Sequence, residues 1–581
     1  MTNRLSLRFR TFLLVFFVLI PLSVSYAVRV ERLVDTWRPT HYLINITLDD
    51  QLSEITSATA RIDVLVLKPT ALIDLDLGDL TVDAVTLDTK PVSFTHKDGS
   101  LRFNLPQRAA AGAHLSLAVQ YHGKPKDGLV LTADKDGNPS AIGDNWPNRV
   151  HHWIPTLDHP SAKATVTFNI TAPARDEVVA NGKLDHVETT ASGTKTWTYS
   201  EGVPIPPYCM VIGVGQFARF QPTERTATPL SYYVPHVDAP VAMKGFAPSI
   251  PSVAYFSETI APYPYEKLAL IVGATRFGGM ENSSAIVFTS TLFTPRSAAK
   301  MSKTFGIPIG TTDVIAHEIA HQWFGDSVTE STWSDLWLSE GFATYFAGLF
   351  LQHYESEEAF QAYMKNAADT AFGYEKTTRT PIFDRDTEDL MKLLNANNYQ
   401  KGAWVLHMLR SRLGDDAFFR GLRIYYQAHA GGVASTEDLR AALEKSSRMD
   451  LRAFFARWVY DSGHPQYELS WQWTENRGAG RNGELRLMLN QVQPGNVFLD
   501  PVPLVMDTAS GQQTVVVKPI AKTTTQVIRN IEKPVAVEID PKNTLLKEAK
   551  VTRCLTLKVC FPIIQQRRGV AQPGRAHGSG P

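Results

Sequence analysis

Residues 311–325 read TTDVIAHEIAHQWFG, and residues 335–343 read DLWLSEGFA. His317 and His321 are four positions apart. At about 100° per residue that spacing sets two side chains one turn apart on one face of a helix, so both imidazoles can address a single cation. Val314, Ile315, Ile319, Ala320 and Phe324 surround the pair with apolar side chains. With 16 histidines in the chain, such a pair can arise by chance on an ordinary surface helix. The apolar neighbours argue for burial instead, and two buried imidazoles without partners would be costly. Thr312 or Asp313 is expected to cap this helix, with Phe324 at its end and Gly325 just beyond. Ser334 is expected to cap a second helix from Asp335 into Phe350, which carries Glu340. The short stretch Gly325–Trp333 joins the two as antiparallel neighbours and brings that carboxylate back toward the histidines. Two imidazoles and one carboxylate leave zinc an open coordination position, and Glu318 lies within reach of a water there. The expectation is one Zn2+ per chain, held by His317, His321 and Glu340.

Outward from this centre, the 581 residues balance 58 Lys and Arg against 58 Asp and Glu, which excludes a strongly basic nucleic-acid binder. A hydrophobic fraction of 44% with 20% charged residues is that of a globular chain with real cores. Arg4, Arg8 and Arg10 precede the apolar run Phe12–Leu22, and Ser25-Tyr26-Ala27 ends it with small residues. This is the pattern of a secretory signal peptide over residues 1–27, with an apolar run too short to span a bilayer. Cleavage after Ala27 leaves 55 basic against 58 acidic residues, an exported chain, periplasmic or secreted, with no stable membrane span. The cysteines Cys209, Cys554 and Cys560 are too few for a disulfide framework or a thiolate zinc site; one bridge, Cys554 to Cys560, is the most they allow.

The organisation expected is multidomain α+β. Residues 28–220 alternate as half-buried strands, for instance Tyr42, Ile44 and Ile46 against Asn45 and Thr47, with turns at Lys97-Asp98-Gly99 and Lys135-Asp136-Gly137, which reads as an antiparallel β domain. Residues 221–463 are helix-rich, with further helices at Tyr399–Leu413 and Asp415–Ala428 and a capping box at Ser435-x-x-Asp438. Residues 464–549 return to alternation at Leu485, Leu487 and Leu489, with a buried-looking run Val515–Val517 and a last set Val535, Val537 and Ile539, which fits a small β-sandwich of about seven strands. Residues 550–581 lose periodicity and read as a frayed tail.

Three strings together carry a family resemblance: His317-Glu-x-x-His321 with Trp323-Phe324-Gly325, Asp335-Leu-Trp-Leu-x-Glu340-Gly-Phe342-Ala, and Phe277-Gly278-Gly279-Met280-Glu281-Asn282. Over about Arg38 to Pro465 the chain resembles the aminopeptidase N family of gluzincins, which also includes leukotriene hydrolase-type enzymes. The resemblance implies a saddle-shaped β domain, a thermolysin-like catalytic domain, and removal of single residues from peptides with a free N-terminus. It makes His317, His321 and Glu340 the zinc ligands, Glu318 the general base, and Gly278, Gly279, Met280, Glu281 and Asn282 the substrate-binding segment. Within that segment Glu281 holds the α-amino group, and Tyr399 donates a hydrogen bond to the oxyanion. A carboxylate at a fixed distance from the metal suits an ammonium, and flanking glycines let a substrate backbone lie alongside as an edge-strand partner. Where the family places a second amine-binding acid or amide, this chain has Trp146, with Asp144 and Asn145 as possible substitutes. Asp326 and Glu330 read as supports for the ligand imidazoles or as solvated acids. Two rival functions stand beside this one: epoxide hydrolysis at the same site, and a silent peptide-binding scaffold, which loss of Glu318 or a ligand would signal. Neither loss occurs here.

Overall fold

The computed structural model describes residues 28–190, 193–224, 226–294, 299–476 and 482–554. The expected leader over 1–27, the residues beyond 554 and Cys560 lie outside them. From Trp37 to Leu48 alternate side chains are buried, and Tyr42 stands opposite Ile62 on one flank and Val166 on the other. This strand sits inside an eight-stranded sheet whose order runs from 183–189 through 194–205, 164–173, 37–48, 55–66 and 114–123 to 81–87 and 90–91. The expected antiparallel pairing holds except at one place: strands 37–48 and 164–173 are parallel. Alternation reports which face a residue takes but not the direction of its partner strand, and this pair is joined by a long excursion rather than a hairpin. Asp98 and Gly99 both take positive φ in the hairpin between 94–97 and 100–109, as a two-residue turn matched to strand twist requires.

The middle of the chain holds a five-stranded sheet as well as helices. Its order is 218–220, 230–234, 268–273, 285–289 and 279–280. The three central strands are mutually parallel. Leu268, Ala269, Leu270, Ile271 and Val272 are all buried, the continuous apolar run of a parallel strand covered on both faces, which alternation cannot flag. Nine helices follow or flank it among the described residues: α1 (Ala239–Gly245), α2 (Ser249–Thr259), α3 (Ile309–His321), α4 (Trp337–Tyr354), α5 (Glu357–Glu375), α6 (Gly402–Leu413), α7 (Asp415–His429), α8 (Thr436–Ser447) and α9 (Arg452–Trp458). α3 begins earlier than the sequence suggests: Pro308 precedes its first turn, and the Thr312 hydroxyl bonds back to the Pro308 carbonyl instead of capping. Ser334 does not cap α4 either; its hydroxyl accepts from Arg29, and a short 3-10 turn, Trp333–Asp335, leads into the helix. The box at Ser435 forms as expected, with the Ser435 hydroxyl accepting from the Asp438 amide. α4 is buried on every side from Trp337 to Leu351, which makes it the central helix of the fold.

Among the described residues seven strands lie beyond Pro465, in a sheet ordered 523–532, 482–491, 466–475 and 548–553, and a second ordered 511–517, 502–508 and 536–539; the strand 548–553 pairs with 466–471, so the start of the expected tail belongs to the sheet. Leu485, Leu487 and Leu489 pack in one apolar cluster with Trp458 and Leu409 of the helical region. Val515–Val517 is not a buried run: Val516 is exposed, as is Val535. No helix among the described residues is long and apolar enough to cross a membrane.

Candidate metal centre

α3 presents His317 and His321 on one face, with their Nε2 atoms 3.0 Å apart. Glu340, in the first turn of α4, places Oε2 at 3.3 Å from each of those nitrogens. The hydrogen-bonded partners of His321 fix its orientation. Its Nδ1 lies 3.2 Å from the Phe324 carbonyl and 3.0 Å from the Ser339 hydroxyl. A carbonyl can only accept, so Nδ1 carries a proton and Nε2 is the nitrogen that faces Glu340. Gly325 makes room for this arrangement: its φ is +125°, and a Cβ there would fall 2.4 Å from the Ser339 Oγ and 3.0 Å from the His321 Nδ1.

The three side chains fit a zinc ion. Their donor atoms lie within 4.8 Å of one another, and the set of two imidazoles and a carboxylate is that of hydrolytic zinc. Glu340 Oε2 is buried and has no hydrogen-bond donor, whereas its Oε1 accepts from the Tyr399 hydroxyl at 2.7 Å. Burial alone would lower the pKa of His321, but the carboxylates of Glu340, Glu281 and Glu318 outweigh it and push the imidazole up to about 10. The acids around it thus call for a cation, which a proton supplies when no metal does. Glu281, Glu318 and His321 form a second possible set that shares His321; its two carboxylates make it poorer in the nitrogen ligands zinc favours.

Around this centre lies a cavity of about 590 Å³. Gly278, Gly279, Met280 and Glu281 line it, and Gly279–Met280 is the outermost strand of the five-stranded sheet. Asn282 does not line it; it is buried, and its amide donates to the Met280 carbonyl. Glu281 is buried, and burial pushes its carboxyl up to about 7 although His321 opposes the shift. Glu318 packs against Gly279 so closely that a Cβ there would meet its Cδ at 2.4 Å. Burial and the neighbouring acids Glu281 and Glu340 hold the Glu318 carboxyl well above the usual range, with His321 acting the other way. Tyr399 lies in a π-helical turn, Asn397–Lys401, rather than in the α-helix expected from Tyr399 onward, and its ring is nearly parallel to that of His317. Its hydroxyl is turned to Glu340.

Trp146 lines the cavity, in edge contact with Phe277 and Trp333, and its indole N–H has no hydrogen-bond partner. Asp144 and Asn145, the possible substitutes in a second amine contact, are held by other partners. Asp144 is engaged by Arg149 and Thr275, Asn145 by Met210 and Trp153, and neither borders the cavity. Asp326 and Glu330 are buried rather than solvated, and neither hydrogen-bonds a ligand imidazole. Asp326 accepts from Gln322 and Cys209, and both carboxylate oxygens of Glu330 lack partners. Ser339 and the Phe324 carbonyl take the supporting role instead. Sequence reading also missed Lys163, which reaches from the N-terminal β region to donate to the Asp326, Ser327 and Gly432 carbonyls beneath the site.

Comparison with known proteins yields two family matches: the peptidase family M1 domain over residues 250–458 and the peptidase M1 N-terminal domain over residues 38–209. Glutamyl aminopeptidase of Rattus norvegicus is 27% identical over 378 residues, 61% of this chain and 38% of that protein. Probable aminopeptidase 2 of Sulfurisphaera tokodaii is 27% identical over 402 residues, 67% of this chain and 50% of that protein. Aminopeptidase M1-A of Oryza sativa is 29% identical over 358 residues, 60% of this chain and 40% of that protein. The chain spans half or less of the length of these relatives.

Proposed function

The chain belongs to peptidase family M1, and from that membership we propose that it is a zinc-dependent aminopeptidase, a hydrolase releasing the first residue of peptides. The observation that carries the reading is the approach of Glu281 to within 4.8 Å of Glu318 and His321 on the wall of the cavity that holds the His317, His321 and Glu340 set. An endopeptidase has no use for a buried carboxylate there. An enzyme that must find a free α-ammonium does, because a charge-assisted hydrogen bond at a fixed distance sets the register of cleavage.

His317, His321 and Glu340 would hold the zinc ion, which when bound supplies Lewis acidity toward water and the scissile carbonyl. Glu318 takes the proton of the attacking water on its carboxylate and returns it to the leaving amine. Its raised pKa suits both halves of that task, since an acid far below neutrality would accept the proton poorly. Glu281 accepts the α-ammonium, whose charge offsets the desolvation that raises its own carboxyl. The outer edge of Gly279–Met280 offers unpaired backbone groups to an extended substrate. Tyr399 donates to Glu340 in the resting site, and we assign its hydroxyl to the oxyanion during reaction, a donor worth about 3 kcal/mol in the transition state. Family membership also supports reading the N-terminal sheets as a saddle-shaped domain; the shared apolar cluster of the two C-terminal sheets supports a sandwich, and the leader-like pattern over 1–27 supports export.

The test is hydrolysis of free-amine aminoacyl amides by the purified chain, with metal content measured alongside. Activity that disappears with a chelator, returns with zinc and is absent in Glu318→Ala supports the reading. A protein that binds zinc stoichiometrically and cleaves no amide would be a scaffold or another hydrolase.

A further inference from the structure

The cavity continues past the tier of metal ligands. Asp313 and Val314 precede His317 on α3 by about one turn, and Thr344 follows Glu340 on α4 by about one turn. The two helices run antiparallel: Phe305, just before α3, stacks on Phe350 near the end of α4, while His321 meets Ser339 at its beginning. Asp313 and Thr344 therefore lie on the same side of the metal ligands, and both line the cavity together with Tyr363 and Ala367 of α5. Glu281 is on the other side, level with His321 and Gln322.

One polar group in this arm has no partner within the protein, and a second has no counter-ion. Asp313 is half-buried and forms no ion pair with any Lys, Arg or His among the described residues; burial pushes its carboxyl up to about 7, opposed only by backbone amides. The Thr344 hydroxyl is buried and has no hydrogen-bond partner. A buried hydroxyl left unpaired costs stability, and burial disfavours the charge of a carboxylate without a counter-ion; a ligand of the right chemistry answers both.

We propose that this arm receives the side chain of the residue following the cleaved one, and that Asp313 and Thr344 select lysine or arginine there. The inference rests on the aminopeptidase reading, since it takes the substrate amine to lie at Glu281. The eight positions from Asp313 to His321 span about 12 Å along α3. An extended peptide advances about 3.5 Å per residue, so the second residue lies some way short of Asp313, and a basic side chain with a long flexible stem covers the remainder. Val314 and Ala367 offer apolar surface to that stem, as long cationic side chains prefer. A cation also restores to Asp313 the charge that burial disfavours, whereas a glutamate in this position adds a second anion.

The peptides Ala-Lys-Gly, Ala-Gln-Gly and Ala-Glu-Gly differ only at the second residue. They are titrated by calorimetry into zinc-loaded Glu318→Gln protein, and their hydrolysis by the parent chain is followed in parallel. The lysine peptide is expected to bind about tenfold more tightly than the glutamate peptide, the order of a partly desolvated charge pair. Adding Asp313→Asn should bring that ratio near one, and Asp313→Lys should invert it; a ratio taken within one protein cancels losses of folding or metal. A binding ratio near one in the Glu318→Gln protein, or one that survives the added Asp313→Asn, would overturn the proposal. Discrimination in binding without hydrolysis leaves Asp313 as a group that selects a basic side chain but removes the aminopeptidase reading, while equal hydrolysis of all three peptides with a binding ratio near one does the reverse.

Discussion

Glu318 packs directly over Gly279, which leaves no room for a side chain there and has a measurable consequence. A Cβ at residue 279 would lie 2.4 Å from Glu318 Cδ and 2.5 Å from its Cγ and Oε1, all atoms of a side chain that can swing aside. Gly279→Ala is therefore expected to leave the melting temperature and the zinc content near those of the parent while displacing Glu318, the proposed general base. A misplacement of about 1 Å can cost on the order of 100-fold in rate, so kcat should fall by at least about tenfold. Parent-like kcat in this variant would show that Glu318 works from another rotamer. At this scale the sequence was most informative about the cluster of His317, His321 and Glu340 that the structure brings together, because helical spacing and donor chemistry both single out the two histidines. It said nothing of Ser339 and the Phe324 carbonyl, which act through a turn after α3 whose shape depends on the positive φ of Gly325. Trp146 was legible as a departure, yet only the structure shows Asp144 and Asn145 committed elsewhere.

The elements that frame the site are joined by a buried charge network. Lys401 ends the π-helical turn that carries Tyr399, and it donates to Glu375 at the end of α5 and to the Gly463 carbonyl. His464 contacts the same carboxylate. Burial works to raise the pKa of Glu375, but the hydrogen bond with His464 and the charge and hydrogen bond of Lys401 outweigh it and bring the carboxyl down to about 2. A carboxyl lowered in the folded state contributes stability that is complete above its unfolded value of 4.5 and is lost as pH falls from there toward 2. The parent should lose roughly 2–3 kcal/mol more than Glu375→Gln across that window in denaturant titrations. Parallel pH profiles for the two proteins would mean that the network adds nothing. Among the elements, α8 was legible because its capping box is local. The start of α3 was not, since Thr312 bonds back to Pro308, and the parallel sheet behind the site was hidden because fully buried strands carry no alternation.

At the scale of the molecule, the N-terminal segment acts as a strap between regions far apart in sequence. Arg29 is buried and donates to the Ser334 hydroxyl and to the carbonyls of Asp384 and Thr387, while Glu31 accepts from the Trp333 amide and bonds His159. Arg29→Ala leaves Glu31 without its buried cation, and a loss of about 3 kcal/mol is expected. A thermal melt checks it, since an unchanged midpoint would show that the strap is not stabilising. Such long-range ties, Lys163 under the metal centre among them, were invisible in the sequence because nothing local to Arg29 or Lys163 marks a partner more than 100 residues away. The broad division into β-rich, helical and β-rich stretches was visible because hydrophobic period changes where the architecture does. The central claim joins these scales: metal ligands, base and amine anchor act on one bond, the first. It is tested most directly by comparing one peptide with a free and an acetylated N-terminus in the parent and in Glu281→Gln, each loaded with zinc. The account predicts that only the free-amine peptide is cleaved, after its first residue, and that Glu281→Gln raises KM for it sharply. Equal cleavage of the acetylated peptide, or cleavage at an internal bond, would contradict it.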